Sequence, residues 1–339
     1  MINNILVVKM SAIGDVIHAL PVSYALKESF PQAKVTWVVE KAAYDLLTNN
    51  PYIDQVLLFE KNKFRSVGGL MRNLPSFSAI LKQGNFDAVL DLQGLAKSAA
   101  IAYLSGAKTK LGFCNMREFS HLVSRPVCGP NQNGHVVERY LDVARELGCK
   151  VREVKFPVHI TDKEKTAAVQ ILKQAGMNID KSYVILAVGA NWPNKRWPTL
   201  HYAQLVNLLY ENNVIPVIIG GSGDKRLADE IIAAANIPPV DLTGKTTLKQ
   251  LAYIIKKAKV LVGGDTGPMH LSVGIGTPVI ALMGPTDIKR NGPYGTGHIA
   301  LQVSTLCSGC WKRQCPQQKD CLGAITVPEV YESITTLLR

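Results

Sequence analysis

The run Val262-Gly263-Gly264-Asp265-Thr266-Gly267-Pro268-Met269-His270 reads as a buried strand turning directly into a helix. The chemistry open to such a junction is anion binding. A helix N-terminus presents unpaired N–H groups and the positive end of the helix dipole, and Gly267 lets a ligand approach the backbone closely. Thr266 suits the N-cap, where its hydroxyl can accept from a first-turn N–H, and Pro268 suits the first helical position. An ordinary strand-to-helix turn accounts for the same local pattern. His270, one helical turn on, is either within reach of a bound phosphate or a satisfied helix histidine. A second acid, Asp15, stands at a similar junction after the apolar run Ile5–Met10. Between residues 61 and 86 the chain carries Lys61, Lys63, Arg65, Arg72 and Lys82 and no acid, a cationic patch that suits an anionic partner or a solvated face. Cys307, Cys310, Cys315 and Cys321 are separated by two, four and five residues. That spacing permits one tetrahedral thiolate site, with structural zinc as its occupant; paired disulfides and reduced thiols packing a loop are the alternatives. The remaining cysteines, Cys114, Cys128 and Cys149, are isolated and read as packed thiols.

The elements that hold these residues alternate between short apolar strands and helical patterns. Ile5–Met10, Val35–Val39, Gln55–Phe59 and Ala88–Leu92 are strand-like, with helices between them, including one near 67–83 and one over 96–104. After a less regular stretch through Arg117, a helix opens at Gly134-His135. The alternation restarts near Pro157 and continues through strands at 183–188, 214–219, 240–242, 260–264 and 278–282. Repeated strand–helix alternation is the signature of a parallel sheet covered on both faces. Residues 1–155 therefore read as one doubly wound α/β domain and 156–325 as a second. The closing helix, 326–339, is a candidate to pack back on the first. Ligands of open parallel sheets sit at the C-terminal ends of strands, where both Asp15 and Asp265 fall. Neither domain has G-x-G-x-x-G after its first strand, and no Walker A pattern occurs, which argues against a nicotinamide, flavin or P-loop enzyme.

At 339 residues, 47% hydrophobic and 19% charged, the chain has ample apolar material for two cores and is not a disordered sequence. No apolar run is long enough to cross a membrane, so a cytoplasmic location is expected. The net charge of +12 points to nucleic acid, an anionic membrane surface or a phosphorylated small molecule. Because the excess is spread through folded sequence in both halves, a dedicated nucleic-acid arm is disfavoured.

Three separated segments resemble one family. They are Val8–Pro21 with its Ser11-Ala12-Ile13-Gly14-Asp15, the segment Lys195-Arg196-Trp197-Pro198, and Gly264–His270 followed by Gly284-Pro285-Thr286. Together they resemble the bacterial lipopolysaccharide heptosyltransferases of glycosyltransferase family nine. The first segment and His135-Val136-Val137-Glu138-Arg139 are most like the enzymes that add the first heptose. The resemblance implies a GT-B architecture, two Rossmann-like doubly wound parallel-sheet domains facing a central cleft. It implies inverting, metal-independent transfer of L-glycero-D-manno-heptose from ADP-heptose, a co-substrate, to the Kdo-lipid A inner core, with no cofactor. Asp15 would be the base. Lys195, Asp224, Asp265, Thr266, Gly267 and His270 would hold the donor, and Lys61, Lys63, Arg65, Arg117 and His135 would face the acceptor. Ala190 and Asn191 depart from the small hydroxyl residues that relatives carry near the phosphates. Peripheral attachment to the anionic cytoplasmic face of the inner membrane, without nucleic acid as a partner, would follow. Two other readings stay open: a GT-B transferase or epimerase using another nucleotide sugar, and a non-catalytic basic protein that binds sugar nucleotides or RNA.

Overall fold

The computed structural model describes residues 2–178, 181–303, 307–317 and 320–338. The chain divides into two compact units, Met1–His159 and Ile160–Arg339, so the boundary lies a few residues beyond the expected 155. The first unit runs β1 (Asn4–Val8), α1 (Ile13–Ser29), β2 (Lys34–Glu40), α2 (Lys41–Leu47), β3 (Gln55–Phe59), α3 (Val67–Gln83), β4 (Ala88–Asp91), α4 (Ala96–Leu104), β5 (Thr109–Phe113), β6 (Arg125–Val127) and α5 (Val136–Glu146). Its strands pair in parallel in the order β3-β2-β1-β4-β5-β6. Ile5, Leu6, Val7 and Val8 are fully buried, as both faces of a central parallel strand must be. Helices supply the cover: α1 packs with α5, and α3 with α4.

The second unit runs α6 (Asp162–Gln174), β7 (Tyr183–Ala187), α7 (Thr199–Glu211), β8 (Ile215–Ile219), α8 (Lys225–Ala234), β9 (Val240–Asp241), α9 (Leu248–Lys257), β10 (Val260–Gly264), α10 (Gly267–Gly274), β11 (Val279–Met283), α11 (Ile288–Asn291), β12 (Ile299–Gln302) and α12 (Val327–Leu338). Its parallel sheet has the order β9-β8-β7-β10-β11-β12, the same winding as the first. The last helix, read from sequence as a candidate to cover the first domain, places Val330 and Ile334 in the second unit's own core and packs on α7, β10 and β11. Trp197 fixes the approach to it, because its buried indole N–H donates to the Ile325 carbonyl at 2.9 Å.

Both sheets reverse their strand order once, between β1 and β4 and between β7 and β10. At such a switch point neighbouring connections leave in opposite directions and open a crevice beyond the strand ends. Residues 9–15 and 92–95 border that position in the first unit, and residues 188–195 and 265–267 in the second. Among the described residues, no helix is long and apolar enough to cross a membrane.

Candidate active site

The first switch point is built around a buried cation. Lys9 follows the last residue of β1, and its ammonium lies 4.0 Å from Asp15 Oδ2; the two side chains are 3% and 40% exposed. The ammonium also sits 5.1 Å from the centre of the Tyr140 ring on α5. Burial alone would pull the Lys9 pKa down, but the charges of Asp15, Tyr140 and Asp91, with a hydrogen bond to Tyr140, hold it above its ordinary value. Asp15 stands in the first turn of α1 and accepts from the Ala12 N–H at 3.2 Å. The junction before it contains a cis peptide between Ser11 and Ala12.

Gln93 anchors that junction, its Oε1 accepting from Met10 N–H at 2.9 Å and Ser11 N–H at 3.1 Å. Below it the buried Asp91 accepts from the Gly94 N–H at 2.9 Å and the Ser98 hydroxyl at 3.0 Å. Burial nonetheless pushes the Asp91 carboxyl upward. Lys9, Asp91 and Gln93 escape a sequence reading organised around Asp15. Their one signal is polar residues placed directly at the ends of two apolar strands.

The residues expected on the acceptor side gather along the same strand-end edge. Lys61 and Lys63 lie in a short 3₁₀ turn, Lys61–Phe64, directly after β3; they and Arg65 are exposed, and Lys63 pairs with Glu60. Arg117 is exposed too, and its N–H donates to the Gly94 carbonyl at 2.9 Å, which ties its loop to the turn after β4. His135 is the N-cap of α5, accepting from the Val137 N–H at Nδ1 at 3.2 Å, and its ring meets His18 of α1 edge-on at 5.5 Å. An N-cap role fixes this imidazole beside the helix that carries Asp15.

In the second unit three expected donor residues converge. The Lys195 ammonium donates to Asp265 Oδ2 at 2.7 Å, and His270 Nε2 lies 2.8 Å from Asp265 Oδ1. Burial would push the Asp265 carboxyl up, but the hydrogen bond and charge of His270 and the ammonium of Lys195 outweigh it and hold the carboxyl well below the usual range. His270 thus meets Asp265 directly, a partner the sequence reading did not give it. The Trp192 ring flanks the Lys195 ammonium at 4.5 Å. Gly264 makes this contact sterically feasible, since a Cβ there would lie 2.2 Å from the Lys195 carbonyl oxygen.

The junction into α10 departs from expectation in two details. Gly267 is the first helical residue and Pro268 the second. Thr266 is the N-cap, yet its side chain caps no helix N–H; its hydroxyl donates to the Gly264 carbonyl at 3.3 Å. A hydroxyl turned back to the strand end does not face the first turn. Asp224 accepts from the Gly221 N–H at 2.8 Å, and its carboxylate lies against Gly189 and Gly220 at the ends of β7 and β8. Ala190 is buried, and its carbonyl accepts from Arg196 Nε at 2.9 Å.

The cysteines differ most from the sequence reading. Cys114 and Cys128 form a disulfide, with Cα atoms 4.6 Å apart. Phe113 and Val127 are partners across β5 and β6, so the next residue on each strand comes side by side. That pairing was invisible while neither strand had been identified. Of the readings left open for Cys307, Cys310, Cys315 and Cys321, the structure has all four as free thiols; among the described residues no group of three or more His, Cys, Asp or Glu side chains is placed to hold a metal. The Cys321 thiol instead packs against Gly284 at the end of β11.

Comparison with known proteins agrees with this architecture. The model of glycosyltransferase family 9 (heptosyltransferase) matches residues 76–320. The chain is 29% identical over 294 residues to the lipopolysaccharide core heptosyltransferase OpsX of Haemophilus influenzae, covering 85% of this chain and 81% of that one. It is 27% identical to lipopolysaccharide heptosyltransferase 1 of Pseudomonas aeruginosa over 93% of its own length and 88% of the relative's. A glycosyl transferase family 9 structure from Veillonella parvula superposes with a TM-score of 0.87 at 22% identity, covering 99% of this chain and 97% of the other. Both units are therefore the Rossmann-like domains of a GT-B enzyme. Heptosyltransferases numbered 1, 2 and 3 match at 24 to 27% identity, so the likeness identifies the family and not one step of core assembly. With the model spanning most of the sequence, the chain belongs to glycosyltransferase family 9, the heptosyltransferases.

Proposed function

We propose that this enzyme transfers L-glycero-D-manno-heptose from ADP-heptose to the Kdo-lipid A inner core, inverting the anomeric centre without a metal ion. The observation that carries the reading is a carboxylate at the switch point of each sheet, Asp15 after β1 in the first and Asp265 after β10 in the second. Asp15 is accessible beside a buried lysine, and Asp265 is enclosed between Lys195 and His270. Asp15 takes the proton of the acceptor hydroxyl as that oxygen attacks the anomeric carbon from the side opposite the diphosphate. The carbon–oxygen bond to ADP breaks with inversion, and negative charge grows on the leaving phosphate. Lys195 and the backbone N–H groups of Thr266 and Gly267 meet that charge. Asp265 orients Lys195 and accepts from heptose hydroxyls, His270 braces Asp265, Thr266 shapes the turn, and Asp224 faces the ribose.

On the other unit Lys61, Lys63, Arg65 and Arg117 pair with the acidic groups of Kdo and lipid A, while His135 borders the acceptor. The likeness of Ser11–Asp15 and His135–Arg139 to first-heptose enzymes favours the first heptose as the one added. The enzyme acts as a peripheral protein on the cytoplasmic face of the inner membrane, drawn there by its positive charge.

The test is transfer assayed by mass spectrometry with purified enzyme, ADP-heptose, Kdo-lipid A and a chelator. A product one heptose heavier supports the reading. Turnover of a different nucleotide sugar alone overturns it, as does a requirement for an already heptosylated acceptor in the case of the first-heptose assignment.

A further inference from the structure

Helix α3 carries one apolar stripe along its whole length: Val67, Leu70, Met71, Leu74, Phe77 and Leu81 recur at the spacing of a single helix face. The two ends of this stripe meet different fates. Toward the C-terminus Leu81 is fully buried, and Phe77 packs on Phe59 and Phe64 with ring centres 5.6 and 5.7 Å away. Toward the N-terminus Val67 is 77% exposed, Met71 74% and Leu70 42%. The helix is well formed there, because Ser66 caps it by accepting from the Gly69 N–H at 3.1 Å. Half of a core-facing stripe therefore overhangs the fold.

Charge decides what can cover it. Lys61, Lys63, Arg65 and Arg72 surround the overhang, and no acid occurs between residues 61 and 86. Lys63 pairs with Glu60, whereas Lys61, Arg65 and Arg72 make no ion pair among the described residues. A second copy of the chain would bring a like-charged face against this one. Apolar side chains ringed by cations match the interfacial zone of an anionic bilayer, where acyl chains lie beneath negative headgroups.

We propose that the N-terminal half of α3 is a membrane-docking surface. Val67, Leu70 and Met71 enter the interfacial region of an anionic phospholipid bilayer while Lys61, Arg65 and Arg72 meet the headgroups. The inference deepens the peripheral-membrane reading above. It places the attachment at the strand-end edge that also carries Asp15, where a lipid-borne acceptor has to arrive.

The experiment is flotation of the full-length enzyme with vesicles of phosphatidylethanolamine and phosphatidylglycerol, and separately with phosphatidylcholine. Binding is expected to the anionic vesicles only and to weaken with salt. Val67→Ser with Met71→Ser should reduce it on the order of tenfold, and Arg72→Glu by at least about fivefold. Met71→Trp should show blue-shifted fluorescence on adding anionic vesicles. The serine variant should keep its melting temperature and its turnover of a Kdo-bearing oligosaccharide without acyl chains. Unchanged flotation of the serine variant overturns the proposal, and so does loss of a dimer in that variant in place of loss of vesicle binding. Turnover of the soluble acceptor reports on the transferase reading separately, so failure of one does not pass for failure of the other.

Discussion

Each switch point holds a carboxylate, on opposite sides of the reversal in strand order, and the two are treated differently: Asp15 follows β1, the counterpart of β7, and Asp265 follows β10, the counterpart of β4. Asp15 keeps 40% of its side chain exposed, with its nearest cation at 4.0 Å. The Asp265 side chain is 4% exposed and held by Lys195 at 2.7 Å and His270 at 2.8 Å. A carboxylate with an open face and a distant counter-ion is available to a proton. One closed between two donors is committed to its neighbours, and its negative charge becomes a fixture that aims Lys195. One winding thus supplies a reactive position in the first unit and a rigid binding position in the second. The residues immediately behind the strand end decide which.

The sharpest way to break this contrast is to exchange the consequences. Asp265→Ala leaves Lys195 and His270 without their shared partner, and a broken buried pair costs about 3–5 kcal/mol. Urea denaturation should show that loss, and calorimetry should show weakened ADP binding; a variant as stable as the parent would mean the enclosure contributes nothing. Asp15→Asn should leave stability and ADP affinity intact while lowering turnover about 10²-fold or more, the scale of losing a general base. If turnover stays near normal, Asp15 is only a first-turn residue of α1. Lys9→Met refines the first unit's half of the comparison. It should lower kcat about tenfold by letting the Asp15 carboxylate drift, with the donor KM little changed and Lys9→Arg partly restoring the rate. In an Asp15→Asn background the same change should have no further effect on turnover. A full additional loss would show that Lys9 serves the fold and not the carboxylate.

The sequence made the helices and central strands legible because their patterns are strong. α3 and α4 occupy the expected residues; Asp15 and Asp265 follow strand ends as read, Lys195 lies in the connection after β7 and His270 in the first turns of α10. Three strands at or next to a sheet edge were not legible. β5 carries Thr109 and Lys110, β6 is three residues with Pro126 in the middle, and β12 follows a glycine-rich turn, so none presents a long apolar run. The missed Cys114–Cys128 disulfide follows from the first two. Which of several polar residues at a strand end faces the site was likewise hidden. Lys9, Asp91 and Gln93 differ from ordinary loop residues only in what the fold packs around them.

The smallest expected effect is on acid stability, and it has opposite signs in the two units. Asp265 has a folded pKa below its unfolded one, so its contribution is fully present above about pH 4 and is lost as pH falls through the depressed value. Asp91 has a folded pKa above its unfolded one. Its folded form holds a proton that the unfolded chain has released, so it costs stability as pH rises above about 4 and costs nothing below. Urea denaturation of each Asp→Asn variant beside the parent, from about pH 7 to about pH 3, separates the two. The penalty of Asp265→Asn should shrink on acidification, and that of Asp91→Asn should grow. Parallel slopes would mean that the two strand ends do not differ electrostatically, and the division between a reactive and a rigid switch point would have to rest on accessibility alone.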